Sequence, residues 1–290
     1  MRDEVRNIQE LLRSRAYVTD AAVATSLYLA MALGKPLLVE GPAGVGKTEV
    51  AKSLADALDT RLARLQCYEG LDAAAAIYEW NYPKQLLHIK LQELAAMSAA
   101  EKEAEIFSEP FLLKRPLLEA ITDRTKSPVL LIDEIDRSDE EFEAFLLETL
   151  SEFQVTIPEI GSIKATHRPY VVLTSNRSRE LSDALRRRCL YLWIDYPPFE
   201  KELEIVRAKV PGISEALSSE ITRLIQSVRK LNLAKAPGVA ETLDWAAALV
   251  VLNASRLDRD VIAETAGCFL KDEADMRKFE AELSAGRITM

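Results

Sequence analysis

One eight-residue stretch constrains the fold of this chain more than any other: Gly41-Pro-Ala-Gly-Val-Gly-Lys-Thr48. It fits the pattern GxxxxGK[ST] at every fixed position. An apolar run, Pro36-Leu-Leu-Val-Glu40, precedes it, and a segment of helical periodicity extends from it to Leu58. Strand, glycine-rich turn and helix in that order give the pattern a mechanism. Glycines let backbone N–H groups curl around phosphate oxygens, and the helix N-terminus favours the anion. Lys47 brings positive charge to the outer phosphates, and the Thr48 hydroxyl is a ligand for Mg²⁺. The residues expected to touch nucleotide are Gly41, Pro42, Ala43, Gly44, Val45, Gly46, Lys47, Thr48 and Glu49. ATP and Mg²⁺ are the expected cofactors. The plainer alternative is a chance glycine turn.

The rest of the chain repeats the strand-helix theme. Residues 3–33 read as two amphipathic helices, with Thr19 or Asp20 capping the second. Arg61–Cys67 reads as a strand. Residues 72–122 are mostly helical in pattern and include a charged, alanine-rich stretch from Glu93 to Glu105. Val129-Leu-Leu-Ile132 is a fully apolar run of the kind found in buried parallel strands. Ser138-Asp-Glu-Glu141 has capping-box spacing. A hairpin is expected over Phe153–Ala165, and further strands at Tyr170–Thr174 and Leu190–Ile194. After Pro197-Pro198 only helical periodicity remains. Alternation of this kind implies an α/β fold with a parallel sheet between helical layers. The expected division is a three-layer αβα nucleotide-binding domain over residues 1–197 and a small all-α domain over 198–290, hinged near Tyr196.

Two further strands end in chemistry. Val129-Leu-Leu-Ile-Asp-Glu134 places Asp133 to hold the metal shell and Glu134 to polarise water against the γ-phosphate. Kinases and small GTPases usually lack the second carboxylate, so the pair favours ATP hydrolysis. An acidic strand end that merely caps the next helix is the alternative. Thr174-Ser-Asn176 closes another apolar strand, and the Asn176 amide is suited to orient that water; asparagine also ends strands for turn reasons. Downstream, Arg186, Arg187 and Arg188 are consecutive in a chain of net charge -9. The simplest account is that cations suit a helix C-terminus.

Composition excludes several classes. Acidic excess argues against general binding of nucleic acid or anionic membrane. Cys67, Cys189 and Cys268 form no CxxC pair, and only His88 and His167 accompany them, which disfavours structural zinc. Free thiols suit a reducing, cytoplasmic setting. The charged start, MRDEVRNIQE, is no signal peptide, and the longest apolar runs are too short to span a bilayer.

Phosphate loop, Asp-Glu strand, Asn strand, arginines and a helical region, in that order, resemble the AAA+ ATPases, a P-loop NTPase fold. The resemblance implies that the arginines lie on the subunit surface and reach a neighbour's nucleotide, with Arg187 or Arg188 favoured over Arg186. Arg64-Leu-Gln-Cys-Tyr-Glu-Gly-Leu71, Tyr78-Glu-Trp-Asn-Tyr82, the segment Leu131–Glu148 and Ala236-Pro-Gly-Val-Ala-Glu-Thr-Leu-Asp-Trp245 narrow it. They resemble the MoxR group, in the branch of CoxD-type carbon-monoxide-dehydrogenase accessory ATPases. That implies a homo-oligomeric chaperone, a hexameric ring, working with a von Willebrand A-domain partner on a metalloenzyme client such as a molybdenum hydroxylase, and not on nucleic acid. A nucleic-acid machine of clamp-loader or restriction-translocase type is the competing reading. One departure stands out: Ala236–Glu241 lacks the arginine that many relatives place near the start of the third lid helix, and Lys235 is the nearest substitute. The aromatics of Tyr78–Tyr82 either contact client or pack inside the subunit. The hairpin either transmits nucleotide state or extends a sheet.

Overall fold

The computed structural model describes residues 2–92 and 98–288. It opens with α1 (Arg2–Ser14), α2 (Ala21–Leu33), β1 (Leu37–Glu40), α3 (Lys47–Ala57) and β2 (Leu62–Gln66). Then come α4 (Ala73–Ile77), β3 (Tyr78–Trp80), α5 (Tyr82–Leu91), α6 (Ala99–Ile106), β4 (Leu112–Lys114) and α7 (Pro116–Thr122). The middle continues with β5 (Val129–Asp133), α8 (Glu140–Glu152), β6 (Gln154–Ile157), β7 (Gly161–Lys164), β8 (Tyr170–Ser175), α9 (Asp183–Arg188) and β9 (Leu190–Trp193). The remainder is helical: α10 (Phe199–Lys209), α11 (Glu215–Val228), α12 (Val239–Val251), α13 (Arg259–Thr265) and α14 (Glu273–Ser284). Among the described residues no helix is long and apolar enough to cross a membrane.

Two compact units share these elements. The first comprises residues 25–40 and 51–192. Its centre is a five-stranded parallel sheet in the order β2-β5-β8-β1-β9, the α/β fold class expected from the sequence. All four residues of β1 and all five of β5 are buried, which is why both strands read as unbroken apolar runs. Leu38, Leu130, Ile132 and Leu173 of the sheet join Leu117, Leu118 and Ile121 of α7 and Phe142 and Leu146 of α8 in one core. Each such side chain contributes about 1.5–3 kcal/mol by leaving water.

The second unit comprises residues 1–24, 41–50 and 193–290. Its core gathers Ile221, Leu224 and Ile225 of α11 with Trp245, Phe269 and Phe279. The Trp245 and Phe269 rings are 4.5 Å apart, and the indole Nε1 donates to Thr265 Oγ1 at 2.8 Å. Buried Arg229 forks onto Glu202, Nη1 to Oε2 and Nη2 to Oε1 at 2.6 Å each, and Thr242 and Gln226 donate to the same carboxylate. Such a pair is tolerated inside because its remaining lone pairs are satisfied.

Local expectations mostly hold, with instructive shifts. Asp20 Oδ1 accepts from Val23 N at 3.0 Å, so Asp20 caps α2. The cap of α8 is Asp139, accepting from Phe142 N at 2.8 Å, not Ser138, whose hydroxyl turns back to Ile135 O. The expected hairpin is β6–β7, with Thr156 opposite Ser162. Residues 72–122 are not purely helical, because β3 and β4 pair antiparallel within them. Three residues per strand are too few to show alternation. Trp80 is buried edge-on to Phe107 at 5.3 Å, so it packs within the subunit; Tyr82 is 60% exposed. Of the alanine-rich stretch, Ala99–Ile106 is helical and residues 93–97 lie outside the described residues.

Candidate active site

The phosphate loop leaves β1 at Glu40 and is made almost wholly of backbone. Gly41 has φ +159°, and a Cβ there would lie 1.9 Å from Ile194 O. Gly44 has φ +75°, in the left-handed region that side chains disfavour. Its carbonyl accepts from Val239 N at 2.8 Å and Ala240 N at 3.1 Å, the first amides of α12. A Cβ on Gly238 would stand 2.6 Å from Gly44 Cα, so this approach requires glycine. Gly238 N donates to Glu241 Oε2 at 2.8 Å. The segment without the expected arginine therefore meets the loop through main-chain donors that ordinarily lack partners at a helix start. Lys47 is 7% exposed, and its Nζ donates to Gly41 O at 2.9 Å and Pro42 O at 2.6 Å. Thr48 lies in the first turn of α3, and Glu49 pairs with Lys209 Nζ at 3.0 Å.

The acidic edge is built differently, from side chains far apart in sequence. Parallel register puts Leu173 beside Ile132 and Gln66 beside Asp133. Asp133 is 2% exposed. Its Oδ1 accepts from Thr174 Oγ1 at 2.6 Å, and its Oδ2 takes Arg64 Nη2 at 2.6 Å and Nε at 3.1 Å. Glu134 has φ +55°, a conformation that costs a residue with a Cβ about 1–3 kcal/mol. Its N–H donates to Thr174 Oγ1 at 2.9 Å. Its Oε2 accepts from Gln66 Nε2 at 3.1 Å and Arg137 Nη1 at 3.2 Å. Burial, then the charges of Asp133, Asp136 and Glu134, push the Cys67 thiol up to about 12.

Asn176 comes directly after β8 with its side chain exposed. Its N–H donates to Asp136 Oδ2 at 3.2 Å, and the same oxygen takes Ser178 N at 2.8 Å and Ser178 Oγ at 2.7 Å. Buried Asp136 thus fixes the Asn176 turn to the Asp133–Glu134 turn.

The three arginines have three fates. Arg186 Nη2 lies 3.6 Å from buried Glu40 Oε2, which also accepts from Tyr191 OH at 3.0 Å, while Ser175 Oγ reaches Oε1 at 3.3 Å. Arg188 Nη1 donates to Leu147 O at 2.7 Å and Ser151 Oγ at 2.6 Å on α8. Arg187 is exposed and, among the described residues, has no ion pair or hydrogen bond.

The first unit thus brings Asp133, Glu134 and Asn176 together on adjoining strand ends, and the second holds the loop. Arg64, Gln66, Asp136, Thr174 and Glu40 carry no mark in the sequence of their place at the site. Only Gln66 stands at a strand end, where such a place could be sought. Mg²⁺ takes oxygen donors and is held by one or two carboxylates together with substrate phosphates. The buried Asp133 carboxylate of the first unit is a donor of that kind, and the Thr48 hydroxyl of the second unit is another. Among the described residues no group of three or more His, Cys, Asp or Glu can hold a metal ion by itself. One buried carboxylate fits an ion whose other donors come from phosphate and water.

A parallel sheet whose strand ends carry a phosphate loop, an Asp-Glu pair and an asparagine defines an ATPase domain. The AAA domain (dynein-related subfamily) matches residues 36–189, more than half of the 290 residues, and the chain belongs to that family. Its phosphate loop is a nucleotide-binding loop. Thermotoga maritima Holliday junction branch migration complex subunit RuvB is 25% identical over 204 residues, covering 66% of this chain and 59% of that protein. An uncharacterized protein of Staphylococcus aureus is 26% identical over 184 residues, 61% of this chain and 62% of its own length. The chain thus spans about three fifths of these relatives. A solved variant of Thermotoga maritima RuvB superposes with TM-score 0.51 at 19% identity, covering 98% of this chain and 78% of that one. Another gives 0.50 at 20% identity, over 97% and 76%. These structural likenesses speak to the fold alone.

Proposed function

We propose that the protein hydrolyses ATP with Mg²⁺ as a homo-oligomer and spends the cycle on remodelling a protein client. The carrying observation is the acidic edge: a buried Asp133 held at both oxygens, followed by a Glu134 fixed in left-handed backbone on the Thr174 hydroxyl. A strained carboxylate kept by neighbours at a strand end is a mark of function. In this reading Gly41–Thr48 cradle the phosphates, Glu49 adjoins them, and Lys47 leaves its carbonyl partners for the nucleotide. Thr48 and Asp133 hold Mg²⁺, which when bound neutralises charge on the β- and γ-oxygens. Glu134 polarises the attacking water, and Asn176 orients it. Arg187, the arginine without a partner of its own, serves a neighbouring subunit's nucleotide in place of Arg186 or Arg188. Residues 1–197 act as the nucleotide-binding domain and 198–290 as the lid.

The finer assignment, a MoxR-type chaperone that matures a molybdenum hydroxylase with a von Willebrand A-domain partner, rests on the sequence resemblance and agrees with the acidic balance. A second reading, action on DNA, draws on the likeness to RuvB. Phosphate release with Glu134→Gln tests the core claim: turnover falls about 10²–10⁴-fold while fluorescent ATP analogue still binds. Undiminished turnover rejects the role of Glu134. Stimulation of the wild-type rate by branched DNA, and not by an A-domain protein, moves the client assignment to nucleic acid.

A further inference from the structure

Arg64 has no place in the reaction as proposed, yet it is bonded to both Asp133 and Gln66 at the acidic edge. Its guanidinium gives two hydrogen bonds to Asp133 Oδ2, from Nη2 at 2.6 Å and Nε at 3.1 Å. Nη2 also donates to Gln66 Oε1 at 2.8 Å, and Gln66 Nε2 donates to Glu134 Oε2 at 3.1 Å. The amide of Gln66 has one oxygen and one NH₂, so only one of its two orientations serves both neighbours. With its oxygen toward Arg64, the NH₂ must face Glu134. One guanidinium therefore holds the carboxylate that would bind metal directly, and biases the water-polarising carboxylate through one intervening side chain.

Charge decides the response of this network to a divalent ion. Asp133 carries a single negative charge, and Thr174 already occupies its Oδ1. A metal bound at this carboxylate faces the +1 guanidinium on Oδ2 at close range, and like charges repel strongly where water is scarce. Asp133 cannot move aside, since its side chain is 4% exposed. Arg64 can, because its side chain is 47% exposed and its head loses little by turning into solvent.

We propose that Arg64 is a positioning residue that competes with the metal: without the ion it occupies Asp133, and an ion arriving with nucleotide displaces it and frees Gln66 from its fixed orientation. This rests on the Mg²⁺-nucleotide reading above. Arg64 accordingly raises the free metal concentration at which the site fills, so that the edge stays locked until nucleotide and metal arrive together.

The test is a titration of Mn²⁺ into the ADP-bound protein, monitored by electron paramagnetic resonance. Arg64→Gln should fill at free Mn²⁺ about threefold to tenfold lower than wild type, the range set by a half-exposed charge-assisted pair. Arg64→Lys, which keeps the charge and loses the fork, should fall between them, and it serves if Arg64→Gln does not fold. In an Asp133→Asn background Arg64→Gln should make no difference. A merely structural tie between β2 and β5 predicts the opposite sign, with Mn²⁺ binding unchanged or weaker; that result overturns the proposal. Wild-type protein that binds ADP but no Mn²⁺ overturns the metal reading itself, and this inference with it.

Discussion

The phosphate loop and the acidic edge solve one kind of problem by opposite means. The loop fixes its shape with main-chain atoms: Gly41 and Gly44 give it room, and Gly44 O is bonded by two amides of α12. The edge fixes its shape with side chains drawn from β2, β5 and β8, and it tolerates left-handed backbone at Glu134 to do so. A main-chain device is indifferent to most substitutions and intolerant of a single Cβ. A side-chain device fails one bond at a time.

Four measurements put that contrast at risk. The largest separates the two functions: Lys47→Ala should abolish nucleotide binding, whereas Glu134→Gln should spare binding and cost about 10²–10⁴ in turnover; equal loss of binding in both would erase the distinction. Next, Thr174→Val removes the hydroxyl shared by Asp133 Oδ1 and Glu134 N–H. Urea unfolding should show a loss of about 1–3 kcal/mol, the cost of a buried donor left without a partner. Gly238→Ala forces the α12 start away from Gly44, and about 1–3 kcal/mol of overpacking is expected; faster hydrogen exchange at Val239 and Ala240 would report it, and unchanged exchange would show that the approach is dispensable. The smallest effect is chemical. Cys67 and Cys189 are both pushed up to about 12. At pH 8 only about one such thiol in ten thousand is ionised, so neither should react with a thiolate-seeking disulfide reagent until the protein unfolds. The raised folded value also sets the direction for stability. Above the ordinary value of 9.0 the unfolded thiol ionises first, so this contribution is present below 9.0 and fades as pH rises toward about 12.

The same contrast explains which parts of the site were legible in the sequence. The loop is eight consecutive residues between a strand and a helix, so pattern and context sit side by side. Asp133 and Glu134 showed because an apolar run ended in acid. Their partners Arg64, Gln66 and Thr174 did not, since nothing local relates position 64 to 133 until β2 pairs with β5. Glu202 and Arg229 met the same obstacle, 27 residues apart, one on α10 and the other just after α11. Strands β3 and β4 were too short to alternate, and the α8 cap fell one residue later, at Asp139, while the Ser138 hydroxyl donates to Ile135 O. Which arginine stands without a partner was likewise invisible, because three identical neighbours differ only in what the fold sets beside each.

Arg187 sits between two anchored neighbours. A helix of six residues has little rigidity of its own. Here its row of guanidinium groups is fastened on either flank, Arg186 to the sheet through Glu40 and Arg188 to the frame of α8. The backbone that carries Arg187 is thereby tied at both neighbouring positions, so the root of this exposed side chain is held while its guanidinium stays open to solvent.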